Sequence, residues 1–261
     1  MKKILLFSLL VLVCFILCGC VSFEEPESDL LQVIKSRDKV IIGVRDDAPP
    51  FGFRNEIGDL EGFDIDLARI IAKYLVGSED DVEFVPVNAQ NRMMKLESGE
   101  VDMLIATMSV TWQRWQLVEF STPYFMAGQA IMVDKSNPAI GLKGMQDSKF
   151  IVVYGSTAEE NIRKTIPDVE VIGFKTYQEA FRALKEGQGD GIFADDTILY
   201  GLAQSDDSVK ILAARYSEEP YAVAVRKEGT GLLLEKINYI IENLQKSKQL
   251  EKLEQKWRIN H

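Results

Sequence analysis

The chain has 261 residues, 46% hydrophobic and 27% charged, with 18 Gly and 8 Pro. That composition excludes a collagen, a coiled coil and a largely disordered chain, and the length suits one large domain or two of about 120 residues. A formal net charge of −10 leaves no basic field to displace counterions, which excludes a nucleic-acid binder. The one His is the last residue, His261. No imidazole can then serve inside a core.

Met1-Lys2-Lys3 opens the chain, an apolar run follows over residues 4–17, and Cys18-Gly19-Cys20 ends it. A basic start, an apolar stretch of this size and a small residue before the break read as a secretory signal over residues 1–19. Leu17-Cys18-Gly19-Cys20 resembles a bacterial lipobox, which makes Cys20 the acylated N-terminus of the mature chain. The alternative is an uncleaved anchor, because residues 4–23 carry no charge and reach spanning length. Both readings put the remainder outside the cytoplasmic membrane and tethered to it. Removal of residues 1–19 takes Cys14 and Cys18 with it, so no intramolecular disulfide and no Cys-based metal site is expected. Residues 20–37 read as a tether and first helical turns, the acidic stretch 21–28 being flexible.

From residue 40 short β-rich runs alternate with helical periodicity, the signature of an α/β fold. Residues 40–44 predict a strand. Residues 63–76 predict a helix, with Ile65, Ala68, Ile71, Ala72 and Leu75 on one face and Gly77 as its stop. Strands follow at 82–87 and 103–106, around a short helix at 92–98, and another at 130–133. A second α/β set predicts strands at 150–153, 169–174 and 191–194, with helices from Ala158, over 177–185 and from Thr197. Residues 221–225 predict one further strand, and two helices from Leu232 and Leu250 close the chain. The expected division is 38–128 as the first part of lobe 1, 129–220 as lobe 2 and 221–261 as the return to lobe 1. A ligand cleft would lie between the lobes.

Polar residues gather at the ends of these strands. Thr107 and Ser109 follow the strand at 103–106, and Arg114 stands where it could fork onto a carboxylate. Tyr154-Gly155-Ser156-Thr157 sits at a strand-to-helix junction, where free N–H groups suit an anion or where Ser156 or Thr157 simply caps the helix. Asp195-Asp196 ends a strand, and the pair can bind an ammonium or cap the next helix. Arg45 and Arg92 add positive charge at two strand exits of lobe 1.

Pro50-Phe51-Gly52-Phe53, Gly62-Phe63-Asp64-Ile65-Asp66-Leu67-Ala68, Ala106 through Arg114, Phe120 through Tyr124, Gly155-Ser156-Thr157 and Asp190 through Asp195 occur in order. Together they resemble the bacterial extracellular solute-binding proteins for polar amino acids, over about residues 38–258. The resemblance implies a two-lobed α/β fold of the periplasmic-binding-protein type (type II), hinged by two crossover strands. It implies a receptor that works as a monomer without a cofactor, binds a free amino acid and feeds the permease of an ABC importer. By the same resemblance the ligand α-carboxylate meets Arg114 and the N–H groups of Ser109 and Thr157. Its α-ammonium meets Asp195, the Ala106 carbonyl and the Ser109 hydroxyl. Arg45, Asn91-Arg92 and Tyr177 match positions that contact an acidic side chain, which points to Glu or Asp and, next to them, Gln or cystine. Trp112-Gln113 departs from the family, which commonly has an acid before the Arg. Two other readings remain: a dehydratase on the same scaffold, which needs a carboxylic acid beside a leaving group, and the sensing domain of a signalling receptor.

Overall fold

The computed structural model describes residues 29–204 and 206–259. The signal segment and Cys20 lie outside them. Helix α1 (Leu30–Arg37) opens the fold, capped by the Asp29 carboxylate on the Leu31 N–H. Strand β1 (Val40–Val44) pairs in parallel with β5 (Val82–Pro86) and with β6 (Met103–Leu104). On the far side of β6 lie β15 (Ala224–Arg226) and then β7 (Val118–Phe120), both antiparallel to their neighbours, giving the order β5-β1-β6-β15-β7.

The second sheet repeats this plan with different strands. Strand β10 (Lys149–Val153) pairs in parallel with β11 (Glu170–Phe174) and β12 (Gly191–Asp195). Strands β9 (Gln129–Asp134) and β13 (Val209–Ile211) then add antiparallel, in the order β11-β10-β12-β9-β13. Between the two sheets the chain crosses on β8 (Phe125–Ala127) and returns on β14 (Glu219–Tyr221). These two strands pair with each other, Phe125 opposite Tyr221 and Ala127 opposite Glu219, and Tyr221 also bridges to Ser109. A two-stranded ribbon between two five-stranded sheets is a hinge.

Each sheet is buried on both faces, as parallel sheets require. In the first lobe α2 (Phe63–Val76) and α8 (Gly231–Lys246) cover one face with Ile65, Ala68, Ile71, Ile237 and Ile240, and α9 (Gln249–Lys256) packs beside them. The other face is closed by Val87, Leu96 and Val101 around α3 (Arg92–Glu97). In the second lobe α6 (Tyr177–Lys185) and α7 (Asp196–Ala203) cover one face, and α5 (Ala158–Thr165) the other. Each lobe thus has its own core.

Helix α2 begins where the sequence predicts because Gly62 permits it. Its φ is +136°, and a Cβ there would lie 2.0 Å from the Phe51 carbonyl oxygen. That close approach lets the Phe63 and Asp64 N–H groups donate to the Pro50 and Phe51 carbonyls at 3.0 and 2.8 Å.

One expected strand is corrected. Residues 221–225 form no single strand: β14 ends at Tyr221 in the hinge and β15 starts at Ala224 in the main sheet. The apolar run is continuous, but its two halves serve different sheets, and the break at 222–223 is set by where the hinge meets the lobe. The strands β7, β8 and β13, the ribbon β2 (Asp47–Ala48), β3 (Gly52–Arg54) and β4 (Leu60–Glu61), and helix α4 (Trp112–Trp115) carried no sequence expectation. Two to four residues are too few to show a period.

Candidate functional site

Parallel strands aim their C-terminal ends at one edge of a sheet, and in open α/β sheets ligands bind there. The two lobes turn those edges toward each other. Arg45 follows β1, Arg92 follows β5, Thr107 and Ser109 follow β6, Ser156 and Thr157 follow β10, Tyr177 follows β11, and Asp195 ends β12. With Arg114 these nine residues line one small cavity between the lobes. Eight of them were singled out from the sequence. Ser156 was named there only within the strand-to-helix junction, as a capping candidate. Ala106, also singled out, is fully buried behind the cavity.

The lobes are closed on one another across this cavity. Arg114 Nη1 donates to the Ser109 carbonyl of its own lobe at 2.9 Å, and Nη2 donates to the Gly155 carbonyl of the other at 3.0 Å. Gln113 Nε2 reaches Glu160 Oε1 at 3.3 Å. On the opposite rim the Tyr177 N–H donates to Asp47 Oδ2 at 3.3 Å, and Gln178 Nε2 to the Asp47 carbonyl at 3.1 Å. Gly155, at φ +76°, lets the Ala89 carbonyl come so near that a Cβ would sit 2.6 Å from its oxygen.

Asp195 is the acidic pole. Its Oδ1 accepts from Gln129 Nε2 at 3.2 Å, and Tyr221 donates its hydroxyl to Oδ2. Gln129 Nε2 also donates to Thr157 Oγ1 at 2.9 Å, and that hydroxyl donates to Glu219 Oε2 at 2.7 Å. Burial first, and the charge of Glu219 second, push the Asp195 carboxyl up to about 6. A buried carboxylate so placed can pair with a cation. Neither Asp195 nor Thr157 caps its helix through its side chain. Ser156 Oγ instead accepts from the Ala158 N–H at 3.3 Å. Asp196 turns to the hinge, accepting from the Gly128 N–H at 3.2 Å and from Arg215 Nε at 2.7 Å.

The basic pole holds three guanidinium groups. Arg114 loses some of its hold on the proton through burial, with Asp195 and Glu219 pulling the other way. Arg92 Nη1 donates to the Ala106 carbonyl at 2.7 Å and to the Thr107 carbonyl at 3.3 Å. The Ala106 carbonyl, expected to meet a ligand ammonium, is therefore engaged by Arg92. Burial, then repulsion from Arg114 and Arg45, drives Arg92 well below the ordinary arginine range. Arg45 differs. Its Nε donates to Asp47 Oδ1 at 2.7 Å, and its guanidinium lies 5.2 Å from the centre of the Tyr177 ring. Burial works hardest against its charge, but Asp47 together with Tyr177 and Tyr221 outweighs it, so Arg45 is held above its ordinary value.

Sequence reasoning passed over Asp47, Gln129, Glu219 and Tyr221. Asp47 was the most accessible of them, since an acid two residues after a strand-end Arg can fold back on it. Gln129 left a weaker sign as a polar residue opening an apolar strand. Glu219 and Tyr221 reach the site only through the hinge pairing.

Two self-cored lobes on a two-stranded hinge, with a polar cavity at facing strand ends, define a type II two-lobed binding protein. The chain belongs to the bacterial extracellular solute-binding proteins, family 3, whose family model matches residues 40–260. It is 37% identical to the ABC transporter glutamine-binding protein GlnH of Bacillus subtilis, over 98% of this chain and 97% of that protein. It is 41% identical to the glutamine-binding protein of Geobacillus stearothermophilus, over 77% and 78% of the two chains. Among solved structures, an ancestral arginine-binding protein bound to glutamine matches with a TM-score of 0.79 at 40% identity, covering 85% of this chain and 98% of that one.

Proposed function

We propose that the chain is the extracytoplasmic amino-acid receptor of an ABC importer, and that its ligand is glutamine. A zwitterion needs one fixed cation and one fixed anion a few Å apart in a dry cleft. Arg114 and Asp195 offer that pair, with Ser109 and Thr157 beside them. Two relatives named as glutamine-binding proteins support the ligand.

The observation that carries the side-chain choice is the ion pair of Arg45 with Asp47. In the sequence, the match of Arg45 to a position that contacts an acidic side chain pointed to Glu or Asp. Asp47 supplies that anion from within the chain. A neutral amide then suits the cavity, its oxygen accepting from Arg92. Glutamate is the second reading, favoured by the repulsion that Arg92 suffers from Arg45 and Arg114. Isothermal titration of the twenty amino acids tests both: glutamine is expected to bind most tightly, and a wild-type protein that binds glutamate more tightly reverses the order.

A pH dependence follows from Asp195. Ligand-free, its carboxyl titrates at about 6. Above that value it is charged and can pair with the α-ammonium, and below it the partner is lost. Glutamine affinity is expected to fall as pH drops from 7 to 5, by at most about tenfold per unit for this one proton. An affinity that stays flat across that range in calorimetry removes Asp195 from the ammonium site.

The tether is part of the same proposal. The lipobox-like run implies acylation at Cys20, so Cys20→Ala is expected to release the protein from the membrane fraction or to block its maturation. Mass spectrometry of the wild-type chain is the check: an unmodified N-terminus at Met1 favours the uncleaved anchor instead.

A further inference from the structure

Glu219 stands in the hinge strand β14, is buried and does not line the cavity, yet it lies one hydroxyl behind the cavity wall. Its Oε2 accepts from the Thr157 hydroxyl at 2.7 Å, and its Oε1 from Asn161 Nδ2 at 2.9 Å and Ser217 Oγ at 2.8 Å. None of these three donors is a cation, the partner a buried carboxylate most needs. Asn161 Nδ2 also donates to Gln129 Oε1 at 2.8 Å. Gln129 Nε2 donates in turn to Thr157 Oγ1 at 2.9 Å and to Asp195 Oδ1 at 3.2 Å. Gln129, Thr157, Glu219 and Asn161 thus close a ring of side chains, with Asp195 joined to it.

The two carboxylates fix the direction of the bonds in this ring. An ionised carboxylate only accepts, so Thr157 must donate to Glu219, and Gln129 must turn its NH₂ group toward Asp195. Thr157 has a single hydroxyl proton, and Glu219 takes it. One lone pair of that hydroxyl accepts from Gln129, and what remains for the cavity is an acceptor. An ammonium donates and never accepts, so this is the face of Thr157 that suits it.

We propose that Glu219 is a positioning residue for the ligand α-ammonium: it takes the Thr157 hydroxyl proton, leaves that hydroxyl as an acceptor beside Asp195, and sets a second negative charge behind it. The proposal rests on the amino-acid receptor reading above and deepens it. Asp195 and Arg114 both feel this charge, which works against ionisation of the first and favours that of the second.

Glu219→Gln tests this with little change of shape. Its amide oxygen can still accept from Asn161 and Ser217, which turns its NH₂ group onto Thr157 Oγ1. The Thr157 proton must then point elsewhere, and the second charge is gone. Glutamine and glutaramate (glutamine with hydrogen in place of its α-ammonium) are titrated by calorimetry at pH 7.5 into wild type and variant. Glutaramate is measured by competition with glutamine where it binds too weakly to titrate directly. Asp195, pushed up to about 6 in wild type partly by Glu219, is ionised at that pH in both proteins. The readout is the ratio of the two dissociation constants. The variant is expected to weaken glutamine relative to glutaramate by about tenfold or more, the scale of a charge-assisted hydrogen bond lost. A purely structural role would weaken both ligands alike and leave the ratio alone.

Should that variant fail to fold, Thr157→Val decides, because the Thr157 side chain does not cap its helix. Loss of an acceptor for the ammonium lowers glutamine affinity and spares glutaramate, whereas loss of a donor to the ligand carboxylate lowers both. An unchanged ratio in folded Glu219→Gln, or in Thr157→Val if the first does not fold, overturns the proposal and leaves the receptor reading in place. If wild type prefers glutamate, glutamate and glutarate give the same ratio and decide in the same way. A wild type that binds glutaramate as tightly as glutamine, or binds none of these ligands, overturns both the proposal and the reading beneath it.

Discussion

Replacing Asp195 by Ala is expected to lower glutamine affinity by about 30-fold to several thousand-fold, the equivalent of about 2–5 kcal/mol for a buried charge left without its partner. The α-ammonium would enter a closed cavity with no carboxylate beside it, and Tyr221 and Gln129 would lose their common acceptor. Arg114→Ala is expected to fall in the same range for the opposite charge, and it also removes the bond to the Gly155 carbonyl that ties the lobes. Calorimetric titration checks both. Binding at the wild-type level by the two variants would mean that the ligand lies elsewhere.

Gly201→Ala is expected to weaken binding without touching the cavity. Gly201 lies in α7, on the second lobe, and a Cβ there would stand 2.3 Å from the Pro49 carbonyl oxygen on the first. The obstacle is backbone, so one lobe must shift to make room. Within its own helix the change is favourable, since Ala exceeds Gly in helix propensity by about 1 kcal/mol. Across the cleft it acts as overpacking, a cost of about 1–3 kcal/mol that falls on the closed state alone. Glutamine affinity should then drop about 5- to 150-fold, while the melting temperature of the ligand-free protein stays level or rises. Affinity equal to wild type would show that closure does not need this contact. A fall in ligand-free stability would place the cost inside the second lobe.

The sequence by itself determined most elements and pointed to most of the cavity lining, because both kinds of signal are local. Helix α2 was legible from its 3.6-residue apolar period and its Gly77 stop, and Tyr177–Lys185 from the same period. Arg45, Arg92, Thr107, Ser109, Thr157 and Asp195 were legible because each comes after a strand that the sequence marks with a β-rich run, Arg114 stands further along the same segment, and Tyr177 came from the family resemblance. The order of the motifs gave the family.

Tertiary structure decided how the charges are shared. Arg45, read alone, is a cation awaiting a ligand. Folded, it is paired with Asp47 and stacked by Tyr177 from the other lobe. Asp195 and Asp196 are neighbours in the chain with separate fates, one facing the cavity and the other holding the hinge at Gly128. Asp64, known from the sequence only as part of a motif, reaches Thr107 across 43 positions. Periodicity and turn chemistry act over a few residues and leave their mark in the order of the chain. The charge balance of a buried cavity is a sum over groups brought together from both lobes, and no local pattern records which carboxylate will meet which guanidinium.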